Sequence, residues 1–466
     1  MKTQRKILMT LILIIAAALL LTASAFAKEY MLSEESIGFQ VTGHADGTQE
    51  VYHYSDGTTD DILENEEIIF KGEGNCFIDL LAEAKVTLNS VNITNSSPVY
   101  IYDNANAAIT IRGDNTLTND EDGSGNGIIT VNDGNLTIKG DGKLTLVGDT
   151  YGAKIGSEVV EAMSGTIHIT DHVEIITDDE DCWGDDGWCD GACIGSGVDG
   201  AFTGEVKIDG NSEVTAVSNH IGAGIGTGYM GKFTGRVIIG ENAIVHAQSG
   251  ANGAGIGTGH GNKSDFAGEI RIEGNADVTA VSRNSGAGIG VGYGGDFKSQ
   301  GKVIIEGSAR VFAITKYLNG AGIGSCEDGN FGGSVIIRGN AIVHAKSGYM
   351  GAGIGSGVGG EDGHFLSEGQ VIIEENAIVH AQSGANGAGI GSGGGCDFKG
   401  DIIIRGNSTV HAESVRGGAG IGTGGAGDFA SGGRVIIEGS ANVTAITNSN
   451  GVFSSNGAGI GTGHQA

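Results

Sequence analysis

The densest run of side chains able to do chemistry lies between Asp178 and Asp190. It holds six aspartates, Asp178, Asp179, Asp181, Asp185, Asp186 and Asp190, together with Glu180. It also carries both tryptophans of the chain, Trp183 and Trp188, and two cysteines, Cys182 and Cys189, with Cys193 just beyond. Clustered carboxylates are hard oxygen ligands of the kind Ca²⁺ takes. Asp178, Asp179, Asp181 and Asp190 are the calcium candidates. A flat indole offers a face to a sugar ring, which makes Trp183, Trp188, Asp185 and Asp186 the ligand-binding candidates. The spacing fits neither an EF-hand loop nor the nonapeptide calcium repeat. The alternative is a solvated loop closed by a disulfide between two of Cys182, Cys189 and Cys193, which an oxidising compartment permits.

Other constellations are weaker. His246, His344, His380 and His411 share one strand position with Thr215, Thr279, Phe312 and Thr444. Only His344 and His380 read as adjacent, so the row is expected to be an exposed β face and not a metal site. Gly184-Asp185-Asp186 and Gly259-His260-Gly261 stand too far apart for one hydrolytic centre, and no acid pair at a defensible separation appears. The expectation is a chain without a catalytic constellation. Thr227, Thr258, Thr423 and Thr462 also share a position, but Ser and Val interrupt them, which weakens an ice-binding reading.

The elements that must position these residues follow from composition and repeats. Residues 1–27 read as a signal peptide. Lys2, Arg5 and Lys6 precede an apolar run from Ile7 to Leu21, and Ala25-Phe26-Ala27 puts small residues at the cleavage positions. The run is short for a membrane span of about 20 residues, and no second such run follows. The mature chain is therefore expected to be secreted or surface-associated, with no membrane span. The full sequence has a net charge of −30 and lacks the basic footprint that nucleic acid requires. It holds 88 glycines and one proline, Pro98. Proline removes a ladder N–H, so its scarcity suits a chain bonded into sheets along most of its length.

Gly-Ala-Gly-Ile-Gly, or a close variant, begins at Gly152, Gly191, Gly222, Gly253, Gly286, Gly320, Gly351, Gly387, Gly418 and Gly457, at spacings of 31 to 39 residues. In the unit Gly253 to Ala280, a short Ile-Gly strand leads through a glycine-rich loop to Ile270-Arg271-Ile272. A Gly274-Asn275 corner and a third strand, Ala276 to Ala280, complete the unit. The two longer strands alternate apolar and polar with period 2. Such a period marks a solenoid, in which one unit cannot bury its own core and neighbours must stack. The predicted fold is all-β, a right-handed parallel β-helix with three short strands per coil and roughly 12 coils. Residues 28–72 read as an N-terminal cap region, 73–150 as a short-coil β-helix, and 151–466 as the continuous long-repeat part.

Aligned units place Val206 and Ile208, Val237 and Ile239, and Val214 and Val245 inward. Asn211, Asn242, Asn275, Asn340, Asn376 and Asn407 align at the corner, where stacked amides are expected to bond to one another. A recurrent loop phenylalanine (Phe202, Phe233, Phe266, Phe297, Phe331, Phe365, Phe398, Phe429) is expected to fold back over the outward isoleucines Ile238, Ile304, Ile336, Ile372, Ile403 and Ile436. Cys76, Cys326 and Cys396 are expected to be free thiols.

Val86-Thr87-Leu88-Asn89-Ser90-Val91-Asn92-Ile93-Thr94-Asn95 and Asn115-Thr116-Leu117-Thr118 resemble the carbohydrate-binding β-helix family of secreted bacterial proteins. The Gly-Ala-Gly-Ile-Gly units are similar to repeats in large surface proteins of Gram-positive bacteria. The resemblance implies a pectate-lyase-like right-handed β-helix that binds acidic polysaccharide, sometimes with calcium, without cleaving it. No family binding residue maps onto a position here. The expected partner is a polysaccharide or a host or cell-surface glycan. A structural stalk is the alternative, able to self-associate end to end through its C-terminal coil. A degenerate polysaccharide-cleaving enzyme is the third reading.

Overall fold

The three strands of one unit lie on three faces of a coil, and each face is a parallel ladder. In the computed structural model the short-strand face carries Arg236–Ile239, the long-strand face Ile244–Ser249, and the Ile-Gly face Ile256–Gly257. The described residues are 27–64, 66–120, 125–148, 150–178, 190–359, 366–448 and 457–464, and they contain strands but no helix. Most of the signal-peptide reading falls outside them. Among them no helix is long and apolar enough to cross a membrane. The two longer faces belong to one 25-stranded sheet and the Ile-Gly face to a 16-stranded sheet. The fold is the all-β parallel β-helix expected from the repeat.

Register follows the repeat without slippage. Val206 stands on Val237 and Ile208 on Ile239, then Ile270 and Ile272, then Val303 and Ile305. All are fully buried and form aliphatic columns along the axis. On the long-strand face Val214, Val245 and Val278 stack in the same way, and Ala216, Ala247 and Ala280 form a second inward column. A side-chain period of 2 makes a one-residue slip intolerable, because it would turn every aliphatic outward.

The Ile-Gly face explains the glycines. Gly226 sits at φ +137°, and a Cβ there would come within 1.8 Å of the Gly257 carbonyl oxygen. Only glycine permits both that backbone and that approach. The position after it is a hydroxyl in most coils, with Val291 the exception: Thr227, Thr258 and Thr423 are fully buried. Each bridges two coils. Thr227 Oγ1 donates to the Gly231 carbonyl at 3.2 Å and accepts from the Gly259 N–H at 3.0 Å. A buried column cannot present a threonine surface to ice, which removes that reading.

The loop phenylalanines correct a second expectation. Phe202, Phe233, Phe266, Phe297 and Phe331 are buried in the central core cluster, and bridges in parallel register link them from coil to coil. Their ring centroids are 4.6 to 5.2 Å apart. They form an interior aromatic column and are not a lid over the outward isoleucines, of which Ile238, Ile336, Ile372 and Ile403 stay half-buried. Phe365 lies outside the described residues.

The corner amides do form a ladder. Asn242 Nδ2 donates to Asn211 Oδ1 at 3.0 Å, Asn275 to Asn242 at 3.1 Å, Asn376 to Asn340 at 3.2 Å and Asn407 to Asn376 at 3.3 Å. Cys76, Cys326 and Cys396 are buried free thiols. Burial pushes the Cys326 and Cys396 thiols up to about 12.

The N-terminal end is built differently. Gly38–Gly43, Gln49–His53 and Thr59–Ile62 form an antiparallel meander. Its first strand also pairs in parallel with Phe77–Ala82, so the meander extends the Ile-Gly sheet. Ala27–Leu32 lies parallel to Glu67–Gly74 and adds an edge to the larger sheet.

Candidate functional site

The long-strand face presents two outward columns. Where neighbouring units carry threonine in the first, four successive coils carry Phe312, His344, His380 and His411, in direct register. His411 therefore adjoins His380, and the expectation that only His344 and His380 are adjacent is corrected. The unit between them is a regular coil of 31 residues, so nothing separates the two rings. His246 stands apart, between Thr215 and Thr279.

The rings stack along the axis. Phe312 and His344 are 4.9 Å apart with 5° between planes, His344 and His380 4.9 Å and 9°, His380 and His411 5.8 Å and 40°. The second column, in the same coils, is Ile314, Lys346, Gln382 and Glu413. Between the columns runs a groove of about 430 Å³ lined by these eight side chains and the small Ala345 and Ala381. Ala345 and Ala381, buried between the two columns, floor the groove.

Two of the three imidazoles, His344 and His380, thus lie nearly parallel, and the third, His411, is inclined to them. Burial, then His380 and Arg310, holds the His344 imidazole below its ordinary value. Gln382 Nε2 donates to Glu413 Oε2 at 3.0 Å, which fixes the carboxylate at one end of the groove. His411 Nε2 lies 4.0 Å from the same oxygen. The imidazoles do not converge. Among the described residues no three His, Cys, Asp or Glu side chains gather as a metal ion would require. The groove can hydrogen-bond along a linear ligand and offer it the positive charge of Lys346.

The acidic tryptophan-bearing stretch falls mainly outside the described residues. That applies to Asp179, Asp181, Cys182, Trp183, Asp185, Asp186, Trp188 and Cys189. The Asp178 backbone ends the strand Glu174–Asp178. At the other end, the Asp190 carboxylate is engaged by His220 Nδ1, and that hydrogen bond raises the imidazole's pKa. Cys193 is buried, with Thr177 Oγ1 donating to its sulfur at 3.4 Å. His260 packs edge-on between Tyr229 and Tyr293, at 5.6 and 5.2 Å, and burial lowers its pKa.

Sequence reasoning found the His row but missed the groove, because it did not pair that row with Lys346, Gln382 and Glu413 two residues on. Period 2 carries that signal. Compared with known protein families, curated proteins and solved structures, the chain matches none.

Proposed function

We propose that this chain is a secreted or cell-surface binding protein, adhesin-like and non-catalytic, that holds a linear acidic polysaccharide along the Phe312–His411 groove. The observation that carries the reading is the register of four coils, which repeats a ring in each and a polar side chain in the last three along one floor. A linear polymer presents its own groups at regular intervals, and a groove parallel to the axis engages several at once. The Lys346 ammonium suits carboxylate or sulfate on that polymer. The resemblance to carbohydrate-binding β-helices supports the same class. Calcium held by the 178–190 stretch, with Trp183 and Trp188 against sugar, is a second contact within this proposal.

The test is retention on immobilised acidic and neutral polysaccharides at pH 5.5 and 7.5, with calcium and with chelator. Acidic chains are expected to be retained more strongly than neutral ones, and His344→Ala with Lys346→Ala to reduce retention at least tenfold. Trp183→Ala with Trp188→Ala reports on the second contact. Unchanged retention in the His344/Lys346 variant removes the groove from the proposal, and depolymerisation of the polymer would replace binding by catalysis.

A further inference from the structure

The Ile-Gly face changes character toward its N-terminal end. Through the long units its non-core column is glycine, Gly156, Gly195 and Gly226 in register. In the coils before them the same column reads Thr130, Tyr100, Asp79 and Gln40. The steric demand that enforces glycine elsewhere is relaxed there, and the positions are filled by an aromatic ring, a carboxylate and an amide.

Aromatic rings surround Asp79. Tyr52 and Tyr54 lie 5.1 Å apart at 85°, Tyr54 and Phe77 5.1 Å at 55°, and Tyr100 and Tyr102 5.1 Å at 65°. Asp79 is 8% exposed, while Tyr54 and Tyr102 are 37% and 41% exposed. Tyr54 Oη donates to Asp79 Oδ2 at 3.5 Å, the long limit of such a bond, and itself accepts from Gln40 Nε2 at 3.3 Å, and the Tyr102 hydroxyl also hydrogen-bonds the carboxylate. Among the ion pairs of the described residues none involves Asp79, although Lys and Arg pair with acids along the rest of the solenoid. The other charges near the patch are also negative: Glu158 and Asp103 both act on Tyr100.

A nearly buried carboxylate without a cationic partner is costly unless something supplies the charge. Ring faces carry negative quadrupole potential and attract cations, most strongly where water is partly excluded. Rings inclined by 55° to 85° share no common plane on which a sugar could lie flat; they suit a compact, rounded group. A bare divalent ion needs six or more oxygens, and here one carboxylate and tyrosine hydroxyls are at hand. We propose that Asp79, ringed by Tyr52, Tyr54, Phe77, Tyr100 and Tyr102, is a binding site for an organic cation of the quaternary ammonium or alkylammonium class. The site is distinct from the His groove and stands or falls without it.

The experiment is calorimetric titration of the full chain with choline, tetramethylammonium and 3,3-dimethyl-1-butanol, the uncharged isostere of choline. Both cations are expected to saturate one site at pH 7.5, and the neutral isostere to bind at least tenfold more weakly. Asp79→Asn is expected to weaken choline at least tenfold, and the surface pair Tyr54→Ala with Tyr102→Ala to do the same. Circular dichroism confirms that each variant is folded; if Asp79→Asn is not, the tyrosine pair and the isostere comparison decide. Equal binding of choline and the isostere, full affinity in the tyrosine pair, or no saturable binding of either cation overturns the proposal.

Discussion

Truncating Phe266 to alanine tests whether the loop phenylalanines are core. The ring is fully buried, with Phe233 at 4.9 Å on one side and Phe297 at 4.8 Å on the other. Phe→Ala in a packed interior costs about 3–5 kcal/mol, the lost transfer energy plus the cavity. The control is Asn275→Ala. That exposed amide donates one ladder bond, to Asn242 at 3.1 Å, and a net hydrogen bond contributes about 0.5–1.5 kcal/mol. The two substitutions should therefore differ by about 1.5 kcal/mol or more. With a urea m-value of about 3 kcal/mol/M for a cooperative block of coils, Phe266→Ala lowers the midpoint by about 1 M or more. Coils couple mainly to their neighbours. Native-state hydrogen exchange should accordingly lose protection in Arg236–Ile239 and Glu269–Ile272 and keep it in the distant Asp401–Ile404. A midpoint shift no larger than that of Asn275→Ala would show that the ring is a surface cover after all and refute the interior column.

Three further outcomes are expected. Gly226→Ala forces a Cβ onto the Gly257 carbonyl and should cost several kcal/mol by urea melt, whereas Gly395→Ala, with nothing within 4 Å, carries only its backbone strain at φ +72°. The thiols of Cys326 and Cys396, raised to about 12, should resist alkylation at pH 8 in the folded chain and label on unfolding, as read by peptide mass mapping. Asp79 has a folded pKa raised by burial to about 6, above its ordinary 3.8, so the folded chain holds the extra proton in that window. Stability should fall as pH rises from about 4 to about 6, and Asp79→Asn should flatten that slope in urea melts.

The architecture was legible because its signals are periodic. Val206 and Ile208 alternate with outward residues, and the same pair recurs one unit on, so inward columns follow from spacing alone. The Asn211–Asn242–Asn275 ladder is legible for the same reason. The phenylalanines were placed at the right positions but with the wrong orientation. Their loops differ in length, so period 2 gives no direction, and the isolated bridges that turn Phe233 and Phe266 inward depend on the neighbouring coil. The aromatic patch round Asp79 was not legible. Its members come from strands at irregular intervals, and Tyr52 and Tyr54 reach it only because an antiparallel strand returns beside Gly38–Gly43. The His groove lay between: its residues share a repeat position, but its depth depends on packing against the floor.

The bridging hydroxyls have a consequence for how such a molecule changes in length. Thr227 ties its coil to the one carrying Gly259, and Thr258 Oγ1 in turn receives the Gly292 N–H at 2.8 Å. Every such tie joins equivalent atoms of adjoining units and reaches no further. Removing residues 222–252 would seat Gly253 on Gly191 as Gly222 now sits there, with Thr258 and Gly259 in the places of Thr227 and Gly228, whereas removing 253–285 would put Val291 where Thr258 stands and lose the tie. Units that keep the hydroxyl are thus interchangeable parts, and among them the reach of the molecule is set by copy number: such a coil can be gained or lost in one step without redesigning an interface.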